Sequence, residues 1–204
     1  MTETPSRSQS RKQALNDIEA KGIKVCRLNN PGKEDKAAIE RQLGFLPTNV
    51  FSVAARSESA GDPLVLKLYP LAVSLKGARA GNAERQPFPT IYWLSCPTLK
   101  SAVSQLENQG LVREWERKLQ ASPELLTKMK MAHERYAEER WAMLSETDVA
   151  IINQRGWESS LGTKVGAGGI STAKPGTIKC LHAHFAHFLA TGQNIVGKWV
   201  QQEL

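Results

Sequence analysis

The feature that most constrains the fold of this sequence is a strongly apolar segment near the C-terminus, residues 178–190. At about 100° per residue, a helix over this segment is apolar on nearly every side. Ala183, Ala186 and Ala190 fall together on one side, where small side chains permit close packing. Because such a helix is normally buried, the sequence predicts a domain built around one central helix. A second arc holds the larger apolar side chains: Ile178, Leu181, Phe185, Phe188 and Leu189.

Hydrophobic periodicity places further elements along the chain. Alternating patterns rich in β-branched and aromatic residues predict strands over residues 50–56, 64–69 and 90–95. The polar stretch 77–89 and the glycine-containing stretch 150–176 are expected to be long loops. The order of the predicted strands and helices along the chain indicates an α+β fold, with a small β-sheet covered by several helices in a single domain. Start and stop signals such as Pro97 and Ser122-Pro123 predict helices over residues 35–43, 97–108, 111–120 and 123–144.

The net charge of +7 is unevenly distributed. Residues 1–33 contain seven Lys or Arg and three acidic residues, so they carry +4 and the rest of the chain carries +3. We therefore predict a basic, partly disordered N-terminal arm over residues 1–33 and one domain over residues 34–204. The arm could contact RNA or another acidic partner, although it has no basic run longer than two residues.

Secretion and membrane insertion are disfavoured by the sequence. No apolar stretch approaches the roughly 20 residues of a membrane-spanning helix. The N-terminal sequence MTETPSRSQSRKQ lacks the apolar core of a secretory signal. Three cysteines do not form a disulfide framework. The expectation is a cytoplasmic protein with reduced thiols.

One hypothesis for the site is zinc binding. On a helical projection of residues 178–190, Cys180, His184 and His187 fall in one narrow wedge. Cys96 ends a predicted strand and precedes the helix that starts at Pro97. A Cys2His2 zinc set of Cys96, Cys180, His184 and His187 is one interpretation of this pattern.

A second hypothesis is a cysteine nucleophile. Cys96 lies at a helix N-terminus, which favours the thiolate, and His184 or His187 could act as its base. Arg140 could hold a small anionic substrate, and His133 and Tyr136, on the same helix face, could bind the same ligand. Backbone N–H groups at Gly166, Gly168 and Gly169 could bind an anionic oxygen of the same ligand.

A third interpretation assigns these residues no chemistry. Cysteine is among the most frequently buried residues, and a histidine on an apolar helix is often a hydrogen-bonded core residue. The face of His133, Tyr136 and Arg140 would then be a solvated or interfacial helix face, and the glycine stretch a flexible loop. The residues leave open whether the domain is an enzyme, a ligand-binding protein or a scaffold for partners.

Three stretches together resemble the DUF501 family, a domain of unknown function known mostly from bacteria. They are PFPTIYWLSCPTLKSAVSQLENQG, AHERYAEER and IKCLHAHFAHFLATGQNIVG. The resemblance runs over about residues 35–200 and implies no established reaction. Family members often carry cysteines just after the first strand, where this chain has residues 57–61 (SESAG), and this departure disfavours zinc. The positions that the resemblance implies are functional are Cys96, His133, Tyr136, Arg140, Cys180, His182, His184 and His187.

Overall fold

The computed structural model describes residues 31–74 and 84–204, and within them it has the predicted α+β fold. Residues 1–30 of the predicted arm, including Cys26, lie outside the described residues. The helices are α1 (Lys33–Leu43), α2 (Pro97–Asn108), α3 (Leu111–Gln120), α4 (Pro123–Ala142), α5 (Glu146–Arg155), α6 (Glu158–Leu161), α7 (Leu181–Thr191) and α8 (Ile195–Glu203). The strands are β1 (Val50–Arg56), β2 (Pro63–Leu68), β3 (Leu71–Ser74), β4 (Glu84–Pro87) and β5 (Tyr92–Leu94), and a 3₁₀ turn spans Ala167–Gly169.

The main sheet has three antiparallel strands in the order β1-β2-β5. The central strand β2 is buried along its whole length, which agrees with a sequence, PLVLKL, that is apolar except for Lys67. Its one charged residue, Lys67, pairs with Glu139 of α4, which satisfies the buried ammonium group. β3 and β4 form a separate antiparallel pair.

Helix α7 is the central helix that the apolar segment predicts. Leu181, Phe185 and Ala186 are completely buried, and α7 packs against β5, α2 and α8. The helix ends at Gly192, which adopts the left-handed conformation that glycine tolerates best. The N-terminus of α7 lies beside α2 and β5. The junction of these three elements holds the candidate site.

Two stretches that were expected to be loops contain secondary structure. Residues 84–87 of the stretch 77–89 form β4, and residues 150–155 of the stretch 150–176 belong to α5, which begins at Glu146. Helix α5 carries ordinary boundary signals, since the Ser145 hydroxyl accepts from the Asp148 N–H and Gly156 ends the helix in the left-handed conformation. The glycines that follow residue 155 led to the prediction of a loop, although these helix boundary signals are present. Within the described ranges, no helix is both long and apolar enough to cross a bilayer.

Candidate functional site

Cys180 does not lie on the helix face of His184 and His187, so the predicted wedge is wrong. Helix α7 begins at Leu181, and Cys180 is its N-cap residue with an extended backbone (φ −159°, ψ 123°). An extended residue does not continue the 100° rotation of the helix, so its side chain points elsewhere. The thiol lies beside His182 instead.

Cys180, His182 and Glu107 form a compact group at the junction of α2 and α7. The Nδ1 atom of His182 lies 3.5 Å from the Cys180 Sγ and 3.2 Å from the Glu107 Oε1. The three ligand-type atoms all lie within 4.8 Å of one another, and each residue is partly buried. Across residues 31–74 and 84–204, no other three His, Cys, Asp or Glu residues bring their ligand atoms this close together.

Helix α2 holds the His182 ring in a defined orientation. Lys100, Ser104 and Glu107 lie on one face of α2, at spacings of four and three residues. The Nε2 atom of His182 lies 3.1 Å from the Lys100 carbonyl and 3.3 Å from the Ser104 hydroxyl. A carbonyl only accepts hydrogen bonds, so Nε2 carries a hydrogen and the lone pair of the neutral ring is on Nδ1.

The surroundings of His182 favour its protonated form when no other ligand is bound. Its hydrogen bond with Cys180, together with the Lys100 carbonyl and the Glu107 carboxylate, raises the pKa of His182 to about 9 despite partial burial. Glu107 also accepts the backbone N–H of Leu181 at 2.6 Å, in the first turn of α7. The carboxylate thus caps the helix and contacts the imidazole at the same time.

Cys180 and His182 open into a cavity of about 320 Å³. The strand β5 and the residues before it form one wall, and the 3₁₀ turn forms another. Gly168 and Gly169, the predicted ligand-binding glycines, both line this cavity, and both have positive φ angles. The lining residues are Pro89, Thr90, Tyr92, Trp93, Leu94, Gly168, Gly169, Cys180, His182 and Ala183.

The other three histidines form a buried cluster between α4, α7 and α8. The rings of His133 and His184 are 5.8 Å apart, and the ring of His187 stacks on Tyr92 and packs edge-on against Tyr136. Burial is the main cause that lowers the pKa of His133 to about 4 and those of His184 and His187 to about 3. At neutral pH the cluster is therefore uncharged.

Asn194 determines the tautomers of two of these histidines. Its Oδ1 accepts the Gly197 N–H at 3.0 Å, so its Nδ2 faces the imidazoles and donates to Nδ1 of His184 (3.1 Å) and of His187 (3.2 Å). Each ring then carries its hydrogen on Nε2. A histidine that binds a metal needs a free lone pair and usually donates from its other nitrogen. This arrangement leaves neither ring a free lone pair, which argues against the predicted zinc roles of His184 and His187.

Arg140 and Tyr136 are structural contacts of the core. The guanidinium of Arg140 is fully buried and donates to the carbonyls of Leu161 (3.1 Å), Gly162 (2.8 Å), Val165 (2.5 Å) and Pro89 (3.3 Å). The Tyr136 hydroxyl accepts the Ile91 N–H at 2.7 Å. These bonds join α4 to the segment before β5 and to residues 161–165. The guanidinium of Arg140, which was expected to bind a substrate, therefore binds backbone carbonyls instead.

Cys96 belongs to no Cys/His cluster among the residues that the structure describes. It is the N-cap residue of α2 and is partly buried against the core. In the described part of the chain, no hydrogen bond joins it to His184 or His187. The nucleophile–base pair and the four-residue zinc set that were predicted around Cys96 are therefore not assembled.

The comparison with protein families agrees with the motifs. The family described as "Protein of unknown function (DUF501)" matches residues 54–202. The chain belongs to the DUF501 family. No curated protein and no solved structure matches it. Both the cavity and the histidine cluster lie inside the matched range of this DUF501 chain.

Sequence analysis missed Glu107 and Asn194. Glu107 is separated by 75 positions from His182, and such a contact leaves no local pattern. A weak signal existed for each residue in this DUF501 chain. Glu107 follows Lys100 and Ser104 on one face of a well-predicted helix, and Asn194 is a typical N-cap residue just before α8.

The close contact between Gly166 and His133 gives a testable consequence. A Cβ atom at residue 166 would lie 2.4 Å from Nδ1 and 2.5 Å from Cβ of His133. We expect Gly166→Ala to lower the free energy of unfolding by about 2 kcal/mol through overpacking. Urea unfolding checks this, with Gly32→Ala as the control, because Gly32 has an ordinary φ of −66° and open space around it. Equal stability of the two variants would contradict the packing argument.

Proposed function

We propose that this DUF501 domain is a metal-dependent enzyme for a small molecule and that it binds zinc through Glu107, Cys180 and His182. The observation that carries the proposal is the spacing of the three ligand atoms. Carboxylate oxygen, thiolate sulfur and imidazole nitrogen are the ligand types that zinc takes in proteins. The proposal replaces the ligand set that the sequence predicted, and it keeps only Cys180 from that set.

The distances agree with the edges of a zinc tetrahedron. Zinc–ligand bonds of about 2.0–2.3 Å in tetrahedral geometry place neighbouring ligand atoms about 3.3–3.7 Å apart. The Nδ1–Sγ distance of 3.5 Å falls in this range, and the Nδ1–Oε1 distance of 3.2 Å lies just below it. A single ion could therefore bind with only small movements of the side chains.

The supporting hydrogen bonds also match those of a metal site. The Nε2–H of His182 donates to the Lys100 carbonyl, which leaves Nδ1 free to bind a metal. The Leu181 N–H donates to Glu107 and orients the carboxylate. Metal-binding side chains generally require such orienting partners.

Three protein ligands leave the fourth zinc position open. Structural zinc sites are usually closed by four protein ligands, whereas catalytic sites keep one position for water or substrate. Cys180 and His182 both line the cavity, so the open position would face it. Bound zinc in that position would lower the pKa of a water molecule and polarise a substrate oxygen.

A second candidate is a thiol enzyme that uses the same residues without a metal. The 3.5 Å distance between the Cys180 Sγ and the His182 Nδ1 supports it, because a nucleophilic cysteine needs a neighbouring imidazole. In that case His182 would hold the proton of Cys180, and Glu107 would stabilise the imidazolium. Metal analysis separates the two candidates.

Zinc content and affinity of three single variants test the proposal. We expect Cys180→Ser, His182→Asn and Glu107→Gln each to weaken zinc binding by about 100-fold or more, because each removes one of three ligands. Glu107→Gln keeps an oxygen that accepts the Leu181 N–H, so its loss of zinc would reflect the ligand rather than the helix cap. Competition with a chromophoric chelator gives the affinities.

Cys96→Ser is the matched control, because Cys96 is also a partly buried N-cap cysteine and lies outside the group. It should bind zinc like the unchanged protein. Equal affinities of Cys96→Ser and Cys180→Ser would overturn the metal assignment. The thiol enzyme would be supported by two results together. The purified protein would contain no zinc, and iodoacetamide would alkylate Cys180 rapidly in the unchanged protein but much more slowly in His182→Asn.

A further inference from the structure

We infer that the cavity binds a small monocarboxylate with a planar apolar body, and this inference rests on the proposed site at Cys180 and His182. It assigns a ligand class from the charge, shape and polarity of the cavity. The carboxylate would lie at the end formed by α7 and the apolar body along the wall formed by β5.

The charges around the cavity favour one negative charge on the ligand. Among the lining residues there is no Asp or Glu. Zinc bound by one thiolate, one carboxylate and one neutral imidazole is a centre of net charge zero. Lys179 adds one positive charge at the rim, where its Nζ donates to the carbonyl of the lining residue Gly169 at 3.0 Å. A monoanion is therefore neutralised, whereas a phosphate dianion would keep an excess charge.

The α7 end of the cavity adds an attraction for a carboxylate. Ala183 lies in the first turn of α7, where the helix dipole favours anions. This attraction acts at the end of the cavity that Cys180 and His182 line, beside the proposed zinc.

The opposite wall is apolar and rigid. Tyr92 is buried, its hydroxyl donates to Glu139 at 2.6 Å and one face of its ring is covered by His187, so it makes this wall rigid. Trp93 is only partly buried, and Phe88 and Phe45 pack against its ring at distances of 5.9 and 6.2 Å. A fixed indole of this kind binds a planar apolar group at a low entropic cost. A volume of about 320 Å³ limits the ligand to a small molecule.

Isothermal calorimetry with four probes tests this inference on the zinc-loaded and on the metal-free protein. We expect benzoate to bind about tenfold more tightly than acetate, which lacks the planar body, and than benzylamine, which has the opposite charge. Inorganic phosphate should bind more weakly than benzoate. Equal binding of benzoate and benzylamine, or tighter binding of phosphate, would overturn the inference.

A pair of lysine variants locates the binding. Lys179→Met should weaken benzoate binding about fivefold through loss of the rim charge. Lys174→Met is the matched control, since it removes an exposed lysine of the same segment whose side chain, unlike that of Lys179, makes no described bond to a lining residue, and it should bind like the unchanged protein. The same affinity in both variants would contradict the assignment. If the protein binds zinc but does not bind benzoate selectively, the ligand inference is refuted and the zinc site stands. If it binds benzoate selectively but binds no zinc, the zinc site is refuted and the ligand inference stands.

Discussion

Replacing Arg140 with methionine should lower the free energy of unfolding by about 4 kcal/mol or more. Arg140 is fully buried, and its guanidinium donates to four backbone carbonyls. Methionine fills much of the same space but donates nothing. Each buried carbonyl left without a partner costs roughly 1–3 kcal/mol, and part of this is recovered as the loops relax.

The direction of this effect follows from the nature of the acceptors. A buried ion pair can often be replaced by apolar side chains, because both partners are removed together. Here the acceptors are main-chain carbonyls of Leu161, Gly162, Val165 and Pro89, which no substitution removes. Removal of the buried charge recovers part of its desolvation cost, but four carbonyls lose their donor, so the net effect is a loss of stability.

Thermal and chemical unfolding measure the effect. A loss of about 4 kcal/mol in a domain of this size corresponds to a fall in Tm of about 10 °C. Arg135→Met serves as the control, since Arg135 is an exposed residue of the same helix with one bond to Gln193, and it should change stability by less than about 0.5 kcal/mol. A normal Tm for Arg140→Met would show that the guanidinium is not an anchor of the loops.

Acid should unfold the protein steeply between about pH 6 and pH 4 because of the buried histidine cluster. The folded state lowers the pKa of His133 to about 4 and those of His184 and His187 to about 3, from an ordinary value of 6.5. Between these values the unfolded chain binds protons that the folded chain does not. Stability therefore falls as the pH falls below 6.5, and it levels off once the folded state is protonated as well.

The size of the acid effect is large. Each histidine contributes about 1.4 kcal/mol per pH unit, so three together remove about 4 kcal/mol per unit below pH 6. A stability of roughly 5–8 kcal/mol, in the lower part of the usual range, would then be exhausted within about one to two units. Urea unfolding from pH 7.5 to 4.5 measures this, and the slope should correspond to an uptake of about three protons.

Two variants make the acid prediction specific. His133→Gln keeps a polar group but cannot titrate, so it should reduce the proton uptake by about one. His182→Asn should leave the acid slope nearly unchanged, because the raised pKa of His182 contributes stability that is complete below pH 6.5 and is lost as the pH rises through about 9. An uptake below one proton in the unchanged protein would contradict a neutral buried cluster.

Local signals predicted most of the fold, because they act within one element. The boundaries of the helices over residues 97–108 and 111–120 are those expected, since Pro97 and Gly110 are strong helix boundary residues. The α+β architecture followed from the buried C-terminal helix and the short strands. Residues 84–87 and 146–155 were missed because glycine and polar content outweighed short periodic patterns.

The site was only partly predictable, because it depends on one boundary residue and on distant contacts. Cys180 was assigned to the helix, and its position just outside the first turn changes its neighbours completely. Its true partners, His182 and Glu107, meet through the packing of α2 on α7. Gly168 and Gly169 were placed near a Cys/His site, and they do line the same cavity as Cys180 and His182.

The Asn194 side chain both accepts a hydrogen bond and donates two, and this limits which residues can replace it. Serine, threonine and aspartate serve as N-cap residues about as well as asparagine. None of them can accept the Gly197 N–H and also donate two hydrogen bonds to neutral imidazoles, as the Asn194 amide does. Aspartate would require protonated histidines inside the core. Among the usual capping residues, this position therefore tolerates one, and an exchange that is conservative at most helix ends becomes a radical one here.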